Sequence, residues 1–240
     1  MSHDSLTVVT FKWKPSNGYR SHFGPETVNT LARMVKRHYP HPHRVVCVTD
    51  DAKGIDSSIA VIPLWKDLSH IMNPHGSHQP SCYRRLKAFS VEARDWFGER
   101  FVALDLDCVI TADMTPLWSR TEDFIIWGSK TDKRCWYNGS MWMMTAGARK
   151  QVWETFNPRF SPFVAKRHGH FGSDQGWIGH ILGKKEATWG IEDGVYSYRV
   201  HLKAGEKPLP PDARIVFFHG KYDPWHARCQ RHDWVQEHYH

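Results

Sequence analysis

The stretch FVALDLDCVI, Phe101 to Ile110, constrains the fold more than any other part of the chain. An apolar run leads straight into two carboxylates, Asp105 and Asp107, and then turns apolar again. Side chains alternate along an extended segment, so residues two apart share a face. Asp105 and Asp107 are therefore expected to point the same way from the carboxyl end of a buried strand. Two like charges so placed are costly unless a cation or a set of donors lies between them. Two readings stay open at this point: a strand ending in an acidic turn, which Asp favours on its own account, or a metal site.

The rest of the chain supplies a sheet for that strand. LTVVTFKW (Leu6–Trp13), RVVCVTDD (Arg44–Asp51) and SIAVIPL (Ser58–Leu64) read as strands, the first two separated by a helix that opens at Gly24-Pro25-Glu26 with Pro at its first position. Near-continuous apolar strands alternating with helices imply an α/β fold, a mostly parallel sheet covered on both faces. A Pro-, Gly- and His-rich loop is expected from Lys66 to Pro80. A helix from Ser81 follows, with Leu86, Phe89, Ala93 and Trp96 or Phe97 inward. Arg84, Arg85 and Lys87 near its start oppose the helix dipole, which suits an anion site or a solvated basic face. DFIIWG and CWYNGSMWMMTAG (Cys135–Gly147) read as strands, the second interrupted by Asn-Gly. RFSPFVAKRHGHFG reads as irregular, basic and aromatic. SDQGWIGHILG reads as a helix with Ser173 a candidate N-cap and Gly183 a stop. Ala213–Trp225 reads as a final strand breaking at Gly220.

Composition excludes several classes. The 240 residues suffice for one domain with a real core. Five widely spaced Cys form no C-x-x-C pair, which argues against a zinc ribbon or a redox motif and for buried thiols in a cytoplasmic protein. No leader is expected at the N-terminus and no transmembrane span anywhere. The net charge of +7 favours anionic partners, nucleotides or nucleic acid, without choosing between them.

Four segments together resemble the motifs of GT-A fold glycosyltransferases, most nearly the glycogenin-like and galactosyltransferase-like retaining enzymes. They are YRRLKAF followed by FVALDLDCVITADMTPLW, then YNGSMWMM, then GSDQGWI, then FFHGKYDPW. The order and spacing agree over about residues 6 to 225. The resemblance implies a GT-A (Rossmann-like) three-layer sandwich over residues 1–225, with residues 226–240 a polar, His-rich tail. It also implies a metal-dependent hexosyltransferase using a nucleoside diphosphate sugar, UDP-hexose above others, with retention.

By that resemblance Asp105, Asp107 and His219 hold Mn²⁺ or Mg²⁺. The family's metal His stands three residues before the Gly, where this chain has Phe217; its phosphate Lys before Pro-Trp is Asp223 here, with Lys221 two residues earlier. Asp174, Gln175 and Asn138 correspond to positions beside the donor sugar. Arg85, with Lys87, corresponds to the basic position toward the diphosphate, and Leu106, Gly139, Gly220 and Lys221 complete the donor-contacting set. Thr10 and Trp13 fall where such folds seat the base and ribose, Trp13 as a stacking partner or a core residue, with Tyr19 and Asp50 as further candidates. The acceptor stays open: a hydroxylated base in DNA, met through the basic segment Arg159 to His170, a glycan, a lipid-linked precursor or a protein hydroxyl. A non-catalytic nucleotide- or nucleic-acid-binding domain of the same fold is the remaining alternative.

Overall fold

The computed structural model describes residues 5–14, 22–71, 82–128 and 135–240. Tyr19 and most of the loop expected from Lys66 to Pro80 lie outside them. The chain runs β1 (Leu6–Lys12), α1 (Pro25–His38), β2 (His43–Thr49), β3 (Ala60–Pro63), a 3₁₀ segment (Cys82–Phe89), α2 (Ala93–Phe97), β4 (Arg100–Leu104), β5 (Cys108–Ile110), α3 (Thr115–Trp118) and β6 (Phe124–Gly128). It continues through β7 (Tyr137–Thr145), α4 (Gln151–Glu154), α5 (Ser161–Arg167), α6 (Asp174–Leu182), β8 (Ala187–Trp189), β9 (Val195–Ser197), β10 (Ile215–Phe217) and α7 (Asp233–His238).

A seven-stranded sheet is ordered β3-β2-β1-β4-β7-β6-β8. β3, β2, β1 and β4 are parallel, β7 runs antiparallel between β4 and β6, and β8 is parallel to β6. Strand alternation builds a core on each face. Val8 and Val102 join the cluster that includes Val28, Leu31 and Val35 of α1. Val9, Phe101 and Ala103 join Leu86, Phe89 and Trp142 on the other face. This two-sided burial is what the continuous apolar runs require, and the expected α/β architecture is present.

Three local expectations are corrected. The Phe101–Ile110 stretch is not one strand. Leu104 still pairs with Met141 of β7, and the Asp105 N–H donates to the Ser140 carbonyl at 2.9 Å. The chain then bends at 106–107, and β5 joins a second sheet ordered β5-β10-β9. The Phe218 N–H donates to the Asp107 carbonyl at 2.7 Å. Leu106, buried between the two, anchors the bend. Asp105 and Asp107 thus flank a bend between two sheets rather than lying within one continuous strand.

The helix expected from Ser81 is a 3₁₀ segment followed by the separate α2. With three residues per turn, Tyr83, Leu86 and Phe89 share one buried face, and Cys82, Arg85 and Ala88 share a second. Arg84 and Lys87 fall on the third, half-exposed face. The segment expected to be irregular, RFSPFVAKRHGHFG, contains α5, which starts with Pro162 in its first turn and buries only Ser161, Pro162 and Ala165. Beyond residue 225 the chain also forms structure: Cys229 and Val235 are buried and α7 packs near β5.

Candidate active site

The carboxyl end of β4 meets the amino end of β7, and the two strands do different things there. On β6, Ile126 and Trp127 are consecutive, but their β7 partners are Trp142 and Asn138. Gly139, Ser140 and Met141 thus form an extended bulge on that edge. A bulge re-aims side chains and interrupts pairing. Here it turns the Asn-Gly-Ser segment toward β4, where Asn138 Oδ1 accepts from the Ser140 N–H at 2.9 Å.

Into this corner the 3₁₀ segment sends Arg85, only 6% exposed. Its Nε donates to Asp174 Oδ2 at 2.8 Å, a second bond runs from Nη2 to the same oxygen, and Nη1 is bonded to Asp105 Oδ1. One guanidinium thus ties the end of β4 to the start of α6. Burial opposes the charge on Arg85, but Asp105 and then Asp174 more than offset it and raise its pKa further. Burial pushes the Asp105 carboxyl above its ordinary range, with Arg85 and a hydrogen bond to Ser140 pulling only partly the other way. Two carboxylates against one guanidinium leave the group one negative charge in excess when all are ionised.

Gly139 is required by this pair. A Cβ there would lie 2.7 Å from Arg85 Nη2 and 3.2 Å from Asp174 Oδ2. Its N–H donates to Gln175 Oε1 at 3.3 Å, while Gln175 Nε2 donates to Cys135 Sγ at 3.2 Å. Ser173 precedes α6 but makes no side-chain cap bond to it; its Oγ donates to Asp174 Oδ1 at 3.2 Å.

Arg85, Asp105, Asn138, Gly139, Asp174 and Gln175 are therefore brought together. Trp13 lies just past β1 with the Arg84 guanidinium 5.9 Å from its ring, and the Asp50 carboxylate accepts from the Lys14 N–H at 3.2 Å. These residues line the carboxyl ends of β1 and β2. Thr10 is fully buried inside β1, its Oγ1 without a hydrogen-bond partner. Lys87 turns to Asp67 at 2.6 Å and to the rings of Trp65, Trp96 and Trp153 at 5.9–6.0 Å.

On the second sheet, His219 Nε2 is 2.8 Å from Ser197 Oγ and edge-on to Trp127. Gly220 follows with φ +96, a conformation that favours glycine. Lys221 is exposed, its ammonium 5.2 Å from the Tyr222 ring. Ser140 and Cys135, which hold Asp105 and Gln175, were not singled out from sequence; both sit within or beside the Asn-Gly strand that was.

Asp105 and Asp107 have the donor chemistry of a hard cation site. Among the described residues no three His, Cys, Asp or Glu side chains converge to hold a metal. Two carboxylates nevertheless fit a cation that takes its other ligands from substrate phosphates, the usual arrangement for Mg²⁺. Thiol chemistry does not fit: burial pushes Cys47 and Cys82 up to about 12, so both are neutral at physiological pH.

A polar group at the carboxyl ends of parallel strands is where open α/β sheets bind ligands. Comparison sharpens that class. No family model matches the sequence, and no curated protein matches it. Solved structures do match. The galactosyltransferase LgtC, crystallised with donor and acceptor sugar analogues, gives a TM-score of 0.60 at 12% identity over 97% of this chain and 94% of that one. An active-site mutant of LgtC gives 0.63 at the same identity and shares. The glycosyltransferase GlyE of Streptococcus pneumoniae gives 0.60 at 14% identity, and this chain spans 63% of its length. The fold is thus the GT-A glycosyltransferase fold. No helix among the described residues is long and apolar enough to cross a membrane.

Proposed function

We propose that this chain is a cytoplasmic, metal-dependent glycosyltransferase that moves a hexose from a nucleoside diphosphate sugar, UDP-hexose in the first instance, to an acceptor hydroxyl with retention. The observation that carries the proposal is the convergence of Arg85, Asp105, Asp174, Gln175 and the Asn138–Ser140 bulge at the end of β4, in a fold shared with glycosyltransferases. Five free thiols support the compartment.

Electrostatics supports the metal. With Asp105 and Asp174 both ionised the cluster carries excess negative charge, and a hard dication between it and a diphosphate relieves both the repulsion and the burial cost of Asp105. Asp105 and Asp107 would hold Mn²⁺ or Mg²⁺ together with diphosphate oxygens, and the ion supplies charge neutralisation as the diphosphate departs. Arg85 fixes Asp174 beside the sugar through two hydrogen bonds to one carboxylate oxygen. Gln175, held by Gly139 and Cys135, and Asn138 orient sugar hydroxyls. Trp13 and Arg84 offer a ring and a cation to the base and ribose.

Retention rests on the resemblance to retaining glycosyltransferases; Asp174 bears on the route. Its Oδ2 accepts two bonds from Arg85, which makes it a poor nucleophile for double displacement. The acceptor oxygen instead bonds to the anomeric carbon on the face that the diphosphate leaves. The acceptor's proton passes to the departing phosphate oxygen. Two measurements test the reading. In thermal shift with Mn²⁺ present, UDP-hexose raises the unfolding midpoint above that with the nucleotide-free sugar. NMR of the product shows the donor's anomeric configuration preserved; an inverted product contradicts the mechanism.

A further inference from the structure

α5 is amphipathic in the wrong sense for a helix that only packs on its own protein. Its inward face is made of small residues, Ser161, Pro162 and Ala165. Its large apolar residues face water: Phe163 is 67% exposed and Phe160, at its start, 55%. Val164 and, past the helix, Phe171 are exposed as well. Scattered surface apolar residues need no explanation, but four exposed ones within twelve residues are a local concentration, and exposed apolar patches mark interaction surfaces.

The charges along this stretch of chain have one sign. No Asp or Glu occurs from Thr155 to Ser173, while Arg159, Lys166 and Arg167 are all exposed. The preceding carboxylate, Glu154, is paired with Lys150 at 3.2 Å. Exposed apolar side chains interspersed with cations, Arg159 lying 5.4 Å from the Phe160 ring, match the headgroup region of an anionic bilayer, where rings enter the acyl boundary and cations meet phosphates. Val164 suits that setting better than a nucleic-acid groove, where an aliphatic side chain has nothing to stack, and the phenylalanines suit either.

We infer that α5 with Phe160 and Phe171 is a docking surface for an anionic lipid bilayer. The attachment is peripheral and reversible, because the patch is small and combines one apolar cluster with one basic cluster. Phe171 stands three residues before Asp174, so docking sets the candidate active site beside the lipid surface. The inference does not depend on the reaction proposed above.

Vesicle co-sedimentation of the full chain tests it, with phosphatidylglycerol vesicles against pure phosphatidylcholine at about 0.1 M salt. The wild type binds the anionic vesicles at least about tenfold more tightly, since each cation near such a surface adds about fivefold. Phe160→Ser with Phe163→Ser, and separately Lys166→Gln with Arg167→Gln, each lower that binding about tenfold or more. Both pairs leave the thermal midpoint unchanged, because the side chains are exposed. Equal binding to both vesicle types, or variants that bind like the wild type, overturns the inference. So does either alternative occupant: DNA that binds through the same four residues while vesicles fail to compete, or a wild-type dimer that the variants convert to monomer.

Discussion

Arg85 carries more of this structure than its place in a basic run suggests. It is buried, it satisfies two carboxylates from distant parts of the chain, and it fixes the Asp174 side chain at the start of α6. Removing one partner of a buried ion pair leaves an uncompensated charge, which costs about 3–5 kcal/mol. Arg85→Ala should lower the stability measured by urea unfolding by that amount. Arg85→Lys should recover only part of it, because an ammonium cannot reproduce the planar fork. A loss below about 1 kcal/mol in Arg85→Ala would show that the two carboxylates find other partners. The sequence marked Arg85 by its basic neighbourhood and by its place in a family motif. It could not reveal the bond to Asp174, which stands 89 residues away and becomes a neighbour only through the order of β4 and α6.

At the scale of elements, the strands were legible and the places where strands change partner were not. Apolar runs announced β1, β2, β4 and β7, because burial on both sides of a sheet leaves a compositional trace. The bend between β4 and β5 left none: Leu106 keeps the apolar rhythm, and the second sheet that captures Asp107 comes from residues near 217. The 3₁₀ segment is hidden for a similar reason, since tightening a turn by half a residue barely alters which positions are apolar. The β7 bulge was legible as Asn-Gly, and its purpose emerges only with Arg85 in place. Gly139→Ala should therefore act on function more than on fold. The added methyl displaces Arg85 and Asp174 while the sheet absorbs the strain at a cost of about 1–3 kcal/mol. Turnover of the donor should fall about 100-fold, because a 1 Å misplacement is enough for that. Unchanged kcat in a folded Gly139→Ala would detach the bulge from the chemistry.

For the whole molecule, the histidine content makes a claim about acid. Burial, the leading cause in each case, lowers the pKa of His38, His170, His180, His201 and His238 below the ordinary value near 6.5. Each therefore binds a proton more readily in the unfolded chain. Their contribution to stability is full above about pH 6.5 and is lost as pH falls below it. The thermal midpoint should be lower at pH 5.5 than at pH 7.5, and a flat or rising profile would contradict the burial of these rings. Their number was plain in the sequence; which of them are enclosed was not.

The central claim, that the corner where β4, β7 and α6 meet is the donor site of a sugar transferase, is tested most directly by the rate of UDP release from UDP-hexose with Mn²⁺. The wild type should turn over, and Asp105→Asn and Asp174→Asn should each lose at least about 100-fold while keeping native circular dichroism. Full activity in both folded variants would place the chemistry elsewhere in the molecule.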